Sequence, residues 1–461
     1  MFKDRLSIIV CWLFLALTLA ITIAGGKWKK HTVLKSDAAG YYVYLPAAFI
    51  YNDLLGCKFY PYVDSVYNPG DGVVYYAVQQ SPETRNMYFK YNYGVAAFEM
   101  PFFLLTHVFV KFTGCYPADG YSAPYQLAVA LNAVLFAFLG LLVLRKFLLF
   151  WFDEVSVALT LVVIAFGTNY LAQVITQPGL SHVYMFFLYA VVLYSTQQLY
   201  ATGRPGYLLM LAAALAMVLV TRSSGIFIII FPLLWKAGGN GVLYLANFLW
   251  IRYKPLVATA VSIGIAICMV QLLYWKLTTG HWYFYTYRRE YFDFTNPEII
   301  KGLFSYRKGW FVYTPLALLG FAGLFFIKRR SELQIYLLPF ALYFMVTFYV
   351  VFSWWQWYYG GSFGSRVMVE SLAVLALPIA AFSEFVVKAS GLLRFASRLT
   401  ISFFVLLNVF QTGQYAKGII HWQKMNKEYY WRVFGKMEVT DADKELLKTT
   451  EELNTNNSPR K

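Results

Sequence analysis

"LSIIVCWLFLALTLAITIAGG", residues 6–26, is an unbroken apolar run that ends in two glycines. At about 1.5 Å per residue, a helix of this length crosses the hydrocarbon core of a membrane. Lys3 and Arg5 precede the run, as in a signal peptide, but the run is longer than a signal peptide's apolar region and no convincing cleavage site precedes "KWKKH". The stretch therefore predicts a retained first transmembrane helix.

Similar runs recur along the whole chain of 461 residues, of which 59% are hydrophobic and 13% are charged. Soluble domains are about 45–50% apolar and about 25% charged, so this composition predicts an integral membrane protein. The runs are continuous and do not alternate with a period of two, which favours helices over a barrel. The predicted fold class is all-α, a polytopic bundle of about eleven transmembrane helices. Besides the first, the runs lie near residues 124–144, 155–173, 182–200, 207–221, 224–235, 255–275, 310–327, 333–352, 366–387 and 398–415.

Basic residues indicate how the bundle is oriented. With the N-terminus inside, every short inner loop carries Lys or Arg, as the positive-inside rule requires. The same rule accounts for the formal net charge of +16, so we predict no nucleic-acid partner. We expect a multi-pass protein of the inner (cytoplasmic) membrane. The inner-loop residues are Arg145, Lys146, Arg204, Lys236, Arg252, Lys254, Lys328, Arg329, Arg330, Lys388, Arg394 and Arg398.

One further apolar stretch, residues 93–112, breaks this pattern if it is counted as a span, because the basic residues after it would then lie outside. The stretch also contains Glu99, Pro101 and His107. We therefore predict an interfacial helix in the headgroup region, with a plain twelfth span as the alternative. Residues 25–123 then form one long outer loop.

Two parts of the chain are expected outside the membrane, the outer loop and the C-terminal segment. The outer loop contains Cys57 and Cys115, which are either bridged, as an outer compartment permits, or two small packing residues. Residues 1–415 form the predicted membrane module. Residues 416–461 form a predicted outer segment, with an interfacial helix and a polar tail that is mobile beyond about Leu453.

Nucleotide-binding motifs and the common catalytic motifs are absent from the sequence in any plausible context, including G-x-G-x-x-G, a Walker loop, H-E-x-x-H and G-x-S-x-G. The acidic residues lie mostly outside the spans, unlike the midplane charges of ion-coupled transporters. Function is therefore expected on the outer surface.

Four outer segments are dense in Tyr and Trp, with basic residues among them. Aromatic residues at an interface commonly only anchor helices. Flat aromatic faces beside Arg and a carboxylate also suit a site that stacks a sugar ring and clamps a phosphate. The segments are "KSDAAGYYVYLPAAF" (35–49) with its continuation, "TQPGLSHVY" (176–184), residues 279–315, and "WWQWYYGGSFGSR" (354–366).

A first span followed at once by an acidic residue in a long outer loop resembles the C-type glycosyltransferase superfamily, which includes protein O-mannosyltransferases and aminoarabinose transferases. "SYRKGWFVYTP" (305–315) and "WWQWYYGGSFGSR" (354–366) resemble segments that recur in bacterial members as R-G-hydrophobic-F-Y-S/T-P and W-W-G-G-S-F-G-x-R. The order of elements agrees through nearly the whole chain. Many relatives carry an acidic pair after the first span, whereas Asp37 stands alone here in "SDA".

The resemblance implies a polyprenyl-phosphate-linked sugar donor, an active site on the outer (periplasmic) face and inversion at the anomeric carbon. The predicted function is transfer of the sugar to a hydroxyl of a cell-envelope acceptor, which is a lipid, a glycan or a protein. A transporter or flippase for lipid-linked saccharides and a non-catalytic assembly subunit are the alternatives. Membrane lipids are further expected partners.

Transfer to a hydroxyl needs a base, because an alcohol is a weak nucleophile until its proton is removed. Asp37 is the predicted general base, and the alternative is that it caps a helix beginning at Ala38. Burial against Tyr41 and Tyr42 is expected to raise the pKa of Asp37, while Lys35 opposes the rise.

The departing lipid phosphate gains negative charge as the glycosidic bond breaks, so cations are expected beside it. In order of preference these are Arg366, Arg222, and the neighbours Arg307 and Lys308. For each arginine, anchoring at the headgroups is the alternative.

Several side chains are expected to contact the sugar or the acceptor, and one of them, His182, has a capping or structural role as its alternative. No metal-ligand pattern is found, and a divalent metal stays open as a cofactor. The expected contact residues are Tyr41, Tyr42, His182, Trp355 and Trp357.

Overall fold

The computed structural model describes residues 5–235 and 241–447, with residues 241–253 described by their backbone alone. These ranges are predominantly helical, which confirms the predicted all-α class. The first helices are α1 (Leu6–Gly25), α2 (Asp37–Tyr42), α3 (Tyr44–Phe49), α4 (Tyr60–Tyr67), α5 (Gly94–Thr113), α6 (Ala123–Leu148), α7 (Glu154–Phe166), α8 (Tyr170–Thr176), α9 (Ser181–Thr202), α10 (Pro205–Thr221) and α11 (Ile230–Leu234). The later ones are α12 (Gly241–Thr279), α13 (Ile299–Phe304), α14 (Trp310–Tyr313), α15 (Leu318–Ile327), α16 (Leu337–Phe352), α17 (Ser371–Lys388), α18 (Gly391–Ala416) and α19 (Lys427–Val433).

Short 3-10 helices and a small hairpin complete the described structure. The hairpin pairs β1 (Val78–Gln80) with β2 (Met87–Phe89) in antiparallel register. The 3-10 helices are Ser223–Ile229, Pro315–Ala317, Ser331–Tyr336 and Arg366–Met368.

Local capping signals set where the helices begin and end. α1 ends at Gly26, whose φ of 63° is the left-handed conformation that glycine adopts without strain. α7 begins after Asp153, whose carboxylate accepts hydrogen bonds from the N–H groups of Val155 and Ser156. The end of α1 delivers the chain directly into the outer loop.

The helices α6, α9 and α17 form the centre of the bundle. α6 packs against α1 and α9, α9 packs against α10, and α17 packs against α7 and α15. By contrast, the membrane-length part of α12 and most of α18 have exposed side chains and lie at the rim. The central helices therefore form the rigid frame from which the loops project.

Among the described residues, seven helices are long and apolar enough to cross a membrane, and α7 with α8 makes an eighth if this pair, bent by 49°, is one span. The chain is thus an integral, multi-pass membrane protein, but the predicted count of eleven spans is not confirmed. Several predicted runs are interrupted. The interruptions are residues 167–169 between α7 and α8, the 3-10 helix before α11, and Thr314 before α15.

Residues 93–112, predicted as an interfacial helix, form α5, which packs against α6. Phe98 contacts Phe136, and Phe103 contacts Tyr125, so the aromatic contacts run from the first turn of α6 to its middle. By length and composition α5 also qualifies as a span. Its placement at the interface stays a prediction.

The predicted long outer loop, residues 25–123, contains α2 to α5 and the hairpin, and it has an aromatic core of its own. Tyr60 and Tyr121 are among the side chains buried there. Cys57 is buried, Cys115 is exposed, and both are free thiols. The loop is therefore a folded cap on the bundle.

The segment after α18 folds back onto the bundle. Tyr430 of α19 packs in one cluster with Tyr313 and Phe363. The tail beyond Leu453, predicted to be mobile, and the inner-loop residue Lys236 lie outside the described residues.

Gly323 of α15 packs directly on the backbone of α17, because an ideal Cβ at this position would lie 1.9 Å from the carbonyl oxygen of Pro378. We expect Gly323→Ala to lower the free energy of unfolding by about 1–3 kcal/mol, the usual cost of overpacking. The measurement is the midpoint of thermal unfolding in detergent. Gly264 of α12 is the control, since nothing lies within 4 Å of its Cβ position. Equal midpoints for Gly323→Ala and Gly264→Ala would contradict the close packing.

Candidate active site

Asp37 is the first residue of α2, a short distance along the chain from the end of α1. The connecting loop is held by Gln126 of α6, whose Oε1 accepts hydrogen bonds from the N–H groups of Val33 and Leu34 at 3.1 and 2.9 Å. Both bonds are buried. The position of Asp37 is therefore fixed relative to the central helices.

Three side chains converge on the Asp37 carboxylate. Arg366 Nη2 lies 2.7 Å from Oδ2, and the side chains of the two residues are only 14% and 16% exposed. The hydroxyls of Tyr91 and Tyr76 donate to Oδ1 at 2.5 and 2.7 Å. We call these four residues the Asp37 cluster. An ion pair shielded in this way is stronger than one exposed to water.

Burial alone would raise the pKa of Asp37, but the Arg366 guanidinium and the hydrogen bonds from Tyr91 and Tyr76 hold it well below its ordinary value. The sequence-based prediction of a raised pKa was wrong. The deciding partner, Arg366, is 329 positions away in the chain, and its contact with Asp37 exists only in the folded protein.

The capping alternative for Asp37 also disagrees with the structure. α2 begins at Asp37 itself, and Ser36 at the N-cap position makes no side-chain capping bond. Lys35, expected to oppose the rise in the pKa of Asp37, instead donates from Nζ to the carbonyls of Tyr67 and Asn68 at 2.8 and 2.7 Å. Asp37 is thus paired through tertiary contacts.

Of the two tyrosines predicted to contact substrate, Tyr41 lies beside the Asp37 cluster and Tyr42 does not. The Tyr41 ring stacks on Tyr91 with centroids 4.3 Å apart, and its hydroxyl donates to Ser181 Oγ at 3.4 Å. Tyr42 is buried in the outer-loop core and donates to the carbonyl of Gly120. Consecutive residues of a helix point about 100° apart, so the two rings face different sides of α2.

Lys90 brings a second cation to the Asp37 cluster. Its Nζ lies 2.6 Å from Glu290 Oε1 and 5.2–5.6 Å from the ring centroids of three tyrosines. Glu290 belongs to residues 280–298, so the ion pair ties this segment to the cluster. The three tyrosines are Tyr76, Tyr91 and Tyr287.

A second buried group, which we call the His182 cluster, contains His182, Glu370 and Arg222. His182 Nδ1 lies 3.0 Å from Glu370 Oε2, and these side chains are 3% and 6% exposed. Arg222 Nη1 lies 3.3 Å from both ring nitrogens of His182, which places it against the ring. Its Nε is 3.9 Å from Glu370 Oε1, beyond hydrogen-bond distance. Arg222 instead donates from Nε to Ser224 Oγ at 3.0 Å, so neutral groups hold it and its contact with the carboxylate is indirect.

The two clusters are adjacent. Arg366 and Glu370 are four residues apart where the chain enters α17. Tyr41, stacked on the first cluster, bonds to Ser181, the residue before His182. Ser181 itself makes no capping bond for α9. Arg222 and Arg366 lie close enough for their charges to interact, so they flank one region at the end of the bundle.

Arg307 and Lys308, predicted to bind phosphate, hold the loop before α17 to the C-terminal segment. Lys308 Nζ donates to the carbonyls of Ser362 and Trp422, the latter at 2.5 Å. Arg307 Nε donates to the carbonyl of Gln423 at 3.2 Å. These partners are backbone carbonyls that belong to neither cluster, although Lys308 lies close enough to Arg366 for the two charges to interact.

Trp355 and Trp357 lie on the same loop. Trp355 is 45% exposed, and its backbone N–H donates to the carbonyl of Tyr291 at 3.0 Å. Trp357 is partly buried and packs edge-on against Tyr358. The loop thus presents one open indole face, beside residues 280–298.

Sequence reasoning missed part of both clusters. Glu370 had a usable signal, as an acid one helical turn after an arginine at the head of an apolar run. The tyrosines and Lys90 had none, since the chain contains 38 tyrosines and none stands out by spacing. The missed side chains are Tyr76, Lys90, Tyr91, Glu290 and Glu370.

Within residues 5–235 and 241–447, no group of three or more His, Cys, Asp and Glu side chains could hold a metal ion. The contacts of Asp37 are with hydrogen-bond donors, which do not ligate a cation. The residues therefore do not provide a ligand set for the divalent metal considered above.

No protein-family model and no curated protein matches the sequence. Two solved structures match its fold. One is the archaeal oligosaccharyltransferase AglB from Archaeoglobus fulgidus in complex with an inhibitory peptide and a dolichol-phosphate, with a TM-score of 0.52 and 12% identity. The other is the Archaeoglobus fulgidus oligosaccharyltransferase in the apo form, with a TM-score of 0.51 and 13% identity.

Each match covers 98% of this chain and 60% of the matched chain, so the protein spans three fifths of the length of these enzymes. The likeness extends over almost all of the helices described above. At this identity the likeness is one of fold, and it agrees with the fold that the sequence resemblance implies.

Removing the donors around Asp37 should raise its pKa. In Arg366→Gln, burial is no longer opposed by the guanidinium, and we expect the pKa to rise above the ordinary value of about 3.9. Tyr91→Phe removes one hydrogen bond and should raise it less. Infrared difference spectra recorded across pH measure the protonation, with Asp37→Asn identifying the band. Tyr88→Phe is the control, because this hydroxyl donates to Gln79; an Arg366→Gln titration like the wild type would contradict the assignment.

Proposed function

We propose that the protein is a membrane glycosyltransferase that moves a sugar from a polyprenyl-phosphate-linked donor to a hydroxyl of a cell-envelope acceptor, with inversion at the anomeric carbon. The observation that carries this proposal is the shielded Asp37–Arg366 pair, a carboxylate and a cation in contact at the end of a membrane bundle. The reaction needs these two groups together, a base for the acceptor and a cation for the phosphate. The fold shared with an oligosaccharyltransferase supports it.

Asp37 acts as the general base. The acceptor oxygen attacks the anomeric carbon opposite the phosphate, its proton passes to Asp37, and the carbon–oxygen bond to the phosphate breaks. While Arg366 and the two tyrosines contact it, the carboxylate is a weak base, since they hold its pKa low. A donor phosphate competes for Arg366, which raises the pKa of Asp37. Donor binding therefore activates the base.

Arg366 and Arg222 bind the lipid phosphate. Guanidinium groups pair with phosphate oxygens through two parallel hydrogen bonds, and they stabilise the charge that grows on the leaving group. Arg222 is suited to this because its distance of 3.9 Å from Glu370 leaves the ion pair incomplete. Arg307 and Lys308 serve instead to fix the loop before α17.

Aromatic faces bind the sugar and the acceptor. Tyr41 is the innermost, beside the Asp37 cluster, and the exposed Trp355 lies farther out with Trp357. Sugar rings stack on such faces through their apolar C–H groups. His182 lies on the phosphate side, against Arg222.

The proposed location of this end of the bundle is the outer face of the inner membrane, and the basic inner loops support it through the positive-inside rule. There the phosphate of a polyprenyl lipid lies at headgroup depth while its chain stays in the bilayer. The AglB structure contains a dolichol-phosphate, which supports a lipid phosphate as the donor class. The acceptor is a hydroxyl of a lipid, a glycan or a protein.

Asp37→Asn tests the base directly. The amide oxygen still accepts the tyrosine hydrogen bonds, but the side chain cannot take a proton. We expect transfer to fall by about 10²- to 10⁴-fold, the usual contribution of a general base. Mass spectrometry of envelope glycans, from cells that carry only the variant, measures the product. Asp71→Asn is the control, since Asp71 is an exposed acid of the same outer loop.

The outcomes separate the three candidate functions. Unaltered glycan product with Asp37→Asn would contradict the base. Wild-type movement of an intact lipid-linked saccharide across vesicle membranes by this variant would favour the flippase. Loss of product by deletion of the protein, but not by Asp37→Asn, would favour the assembly subunit.

Arg366→Gln and Arg222→Gln should each weaken the binding of farnesyl phosphate by about tenfold or more, because a hydrogen bond to a charged group contributes about 1.5–3 kcal/mol. Titration calorimetry in detergent measures the affinity. Arg288→Gln is the matched control, since Arg288 is bonded to the hairpin through Tyr88 and Gln80. Equal affinities for all three variants would contradict the phosphate site.

A further inference from the structure

The pair formed by His182 and Glu370 is more deeply buried than the Asp37–Arg366 pair, and the base and phosphate roles above do not use it. We infer that His182 is a catalytic acid, which donates a proton to the departing lipid phosphate, while Glu370 orients the ring and stabilises its charged form. This inference rests on the proposed function and adds a second proton transfer to it.

The geometry sets which ring nitrogen would act. Glu370 Oε2 lies 3.0 Å from Nδ1, so the carboxylate accepts the Nδ1–H bond and Nε2 is the position for the proton that is donated. Glu370 enters from the start of α17, and the phosphate-binding Arg222 lies after α10. Arg222 contacts the ring at 3.3 Å and its Nε lies 3.9 Å from Glu370 Oε1, so the carboxylate, the imidazole and the cation that would hold the leaving group form one compact group.

Arg222, which contacts the His182 ring, affects whether that ring is neutral or charged. Its Nη1 lies 3.3 Å from both ring nitrogens, and a cation in that position favours the neutral imidazole. Arg366 also acts on the ring from farther away, and Tyr41 reaches it only through Ser181. A phosphate that draws Arg222 away leaves Glu370 as the closest charge, which favours the imidazolium.

A count of charges indicates why such a proton is needed. In and beside the two clusters, three cations each have an acid beside them. Lys308, whose pKa is lowered by burial and by the charges of Arg366 and Arg307, donates to backbone carbonyls instead. A phosphodiester donor carries one negative charge and departs as a phosphomonoester with a second, whose pKa is about 6. The pairs are Asp37 with Arg366, Glu370 with Arg222, and Glu290 with Lys90.

The full step is balanced. The bond from the anomeric carbon to the phosphate oxygen breaks, its electron pair stays on that oxygen, and the Nε2 proton of His182 moves to the phosphate. The acceptor oxygen bonds to the anomeric carbon and gives its proton to Asp37. Asp37 then releases this proton to water and His182 takes one from water, which restores the starting state.

The test is nitrogen NMR of the whole chain in detergent, with 15N-labelled histidine and with farnesyl phosphate as the probe. The chain has five histidines, and His182→Gln assigns the resonance of interest. At pH 7 we expect the two nitrogens of His182 to give the separated resonances of a neutral ring without ligand. With farnesyl phosphate they should shift to the nearly equal resonances of an imidazolium.

Glu370→Gln keeps a hydrogen-bond acceptor for Nδ1 but removes the charge, and it should abolish the shift while farnesyl phosphate still binds. Glu99→Gln is the matched control, since Glu99 is a buried carboxyl whose partner is Tyr184, and it should leave the shift intact. A Glu370→Gln protein that does not fold leaves the wild-type comparison decisive.

Each outcome decides something different. If farnesyl phosphate binds to the wild type and His182 stays neutral, the acid role is overturned while the proposed function stands. If farnesyl phosphate does not bind at all, the phosphate site of the proposed function fails together with this inference. A shift that persists in Glu370→Gln would overturn the role of Glu370.

Discussion

The contact between Asp37 and Arg366 joins the exit of the first membrane helix to the entry of α17, and the rest of the site is arranged around it. A buried carboxylate without a partner would cost several kcal/mol, so the fold requires the cation at this position. The two tyrosines and the Lys90–Glu290 pair then fix the outer loop and residues 280–298 to the same point. One ion pair thus sets both the geometry and the electrostatics of this end of the bundle.

The two clusters share a common arrangement. In each, an arginine rests against a group that the proposed reaction needs, Arg366 on Asp37 and Arg222 on His182. Two phosphate oxygens match the paired N–H groups of a guanidinium, so a phosphate competes with both of these groups for the arginines. The low pKa of Asp37 then depends on its contact with Arg366. In the proposed mechanism this contact keeps the base inactive toward water until a donor has bound.

The sequence predicted the frame of this site better than its contacts. The apolar runs showed the helical class and the first span, and the positions of Asp37 and Arg366 beside apolar runs led us to predict both as site residues. The direction of the Asp37 pKa shift depends on a partner 329 positions away, which no local pattern shows. Likewise Tyr41 and Tyr42 are equivalent in sequence, and only the rotation of a six-residue helix separates the ring beside the Asp37 cluster from the ring in the outer-loop core. The count of eleven spans was not confirmed, since breaks within apolar runs shorten the helices without changing the composition.

On the proposed mechanism, a lipid phosphate displaces Asp37 from Arg366. A cryo-electron microscopy structure of the protein with undecaprenyl phosphate would show this displacement. We expect the phosphate to lie between Arg366 and Arg222, and the distance from Arg366 to Asp37 to exceed the present 2.7 Å by enough to break the ion pair. A phosphate bound elsewhere, with the Asp37–Arg366 pair intact, would contradict it.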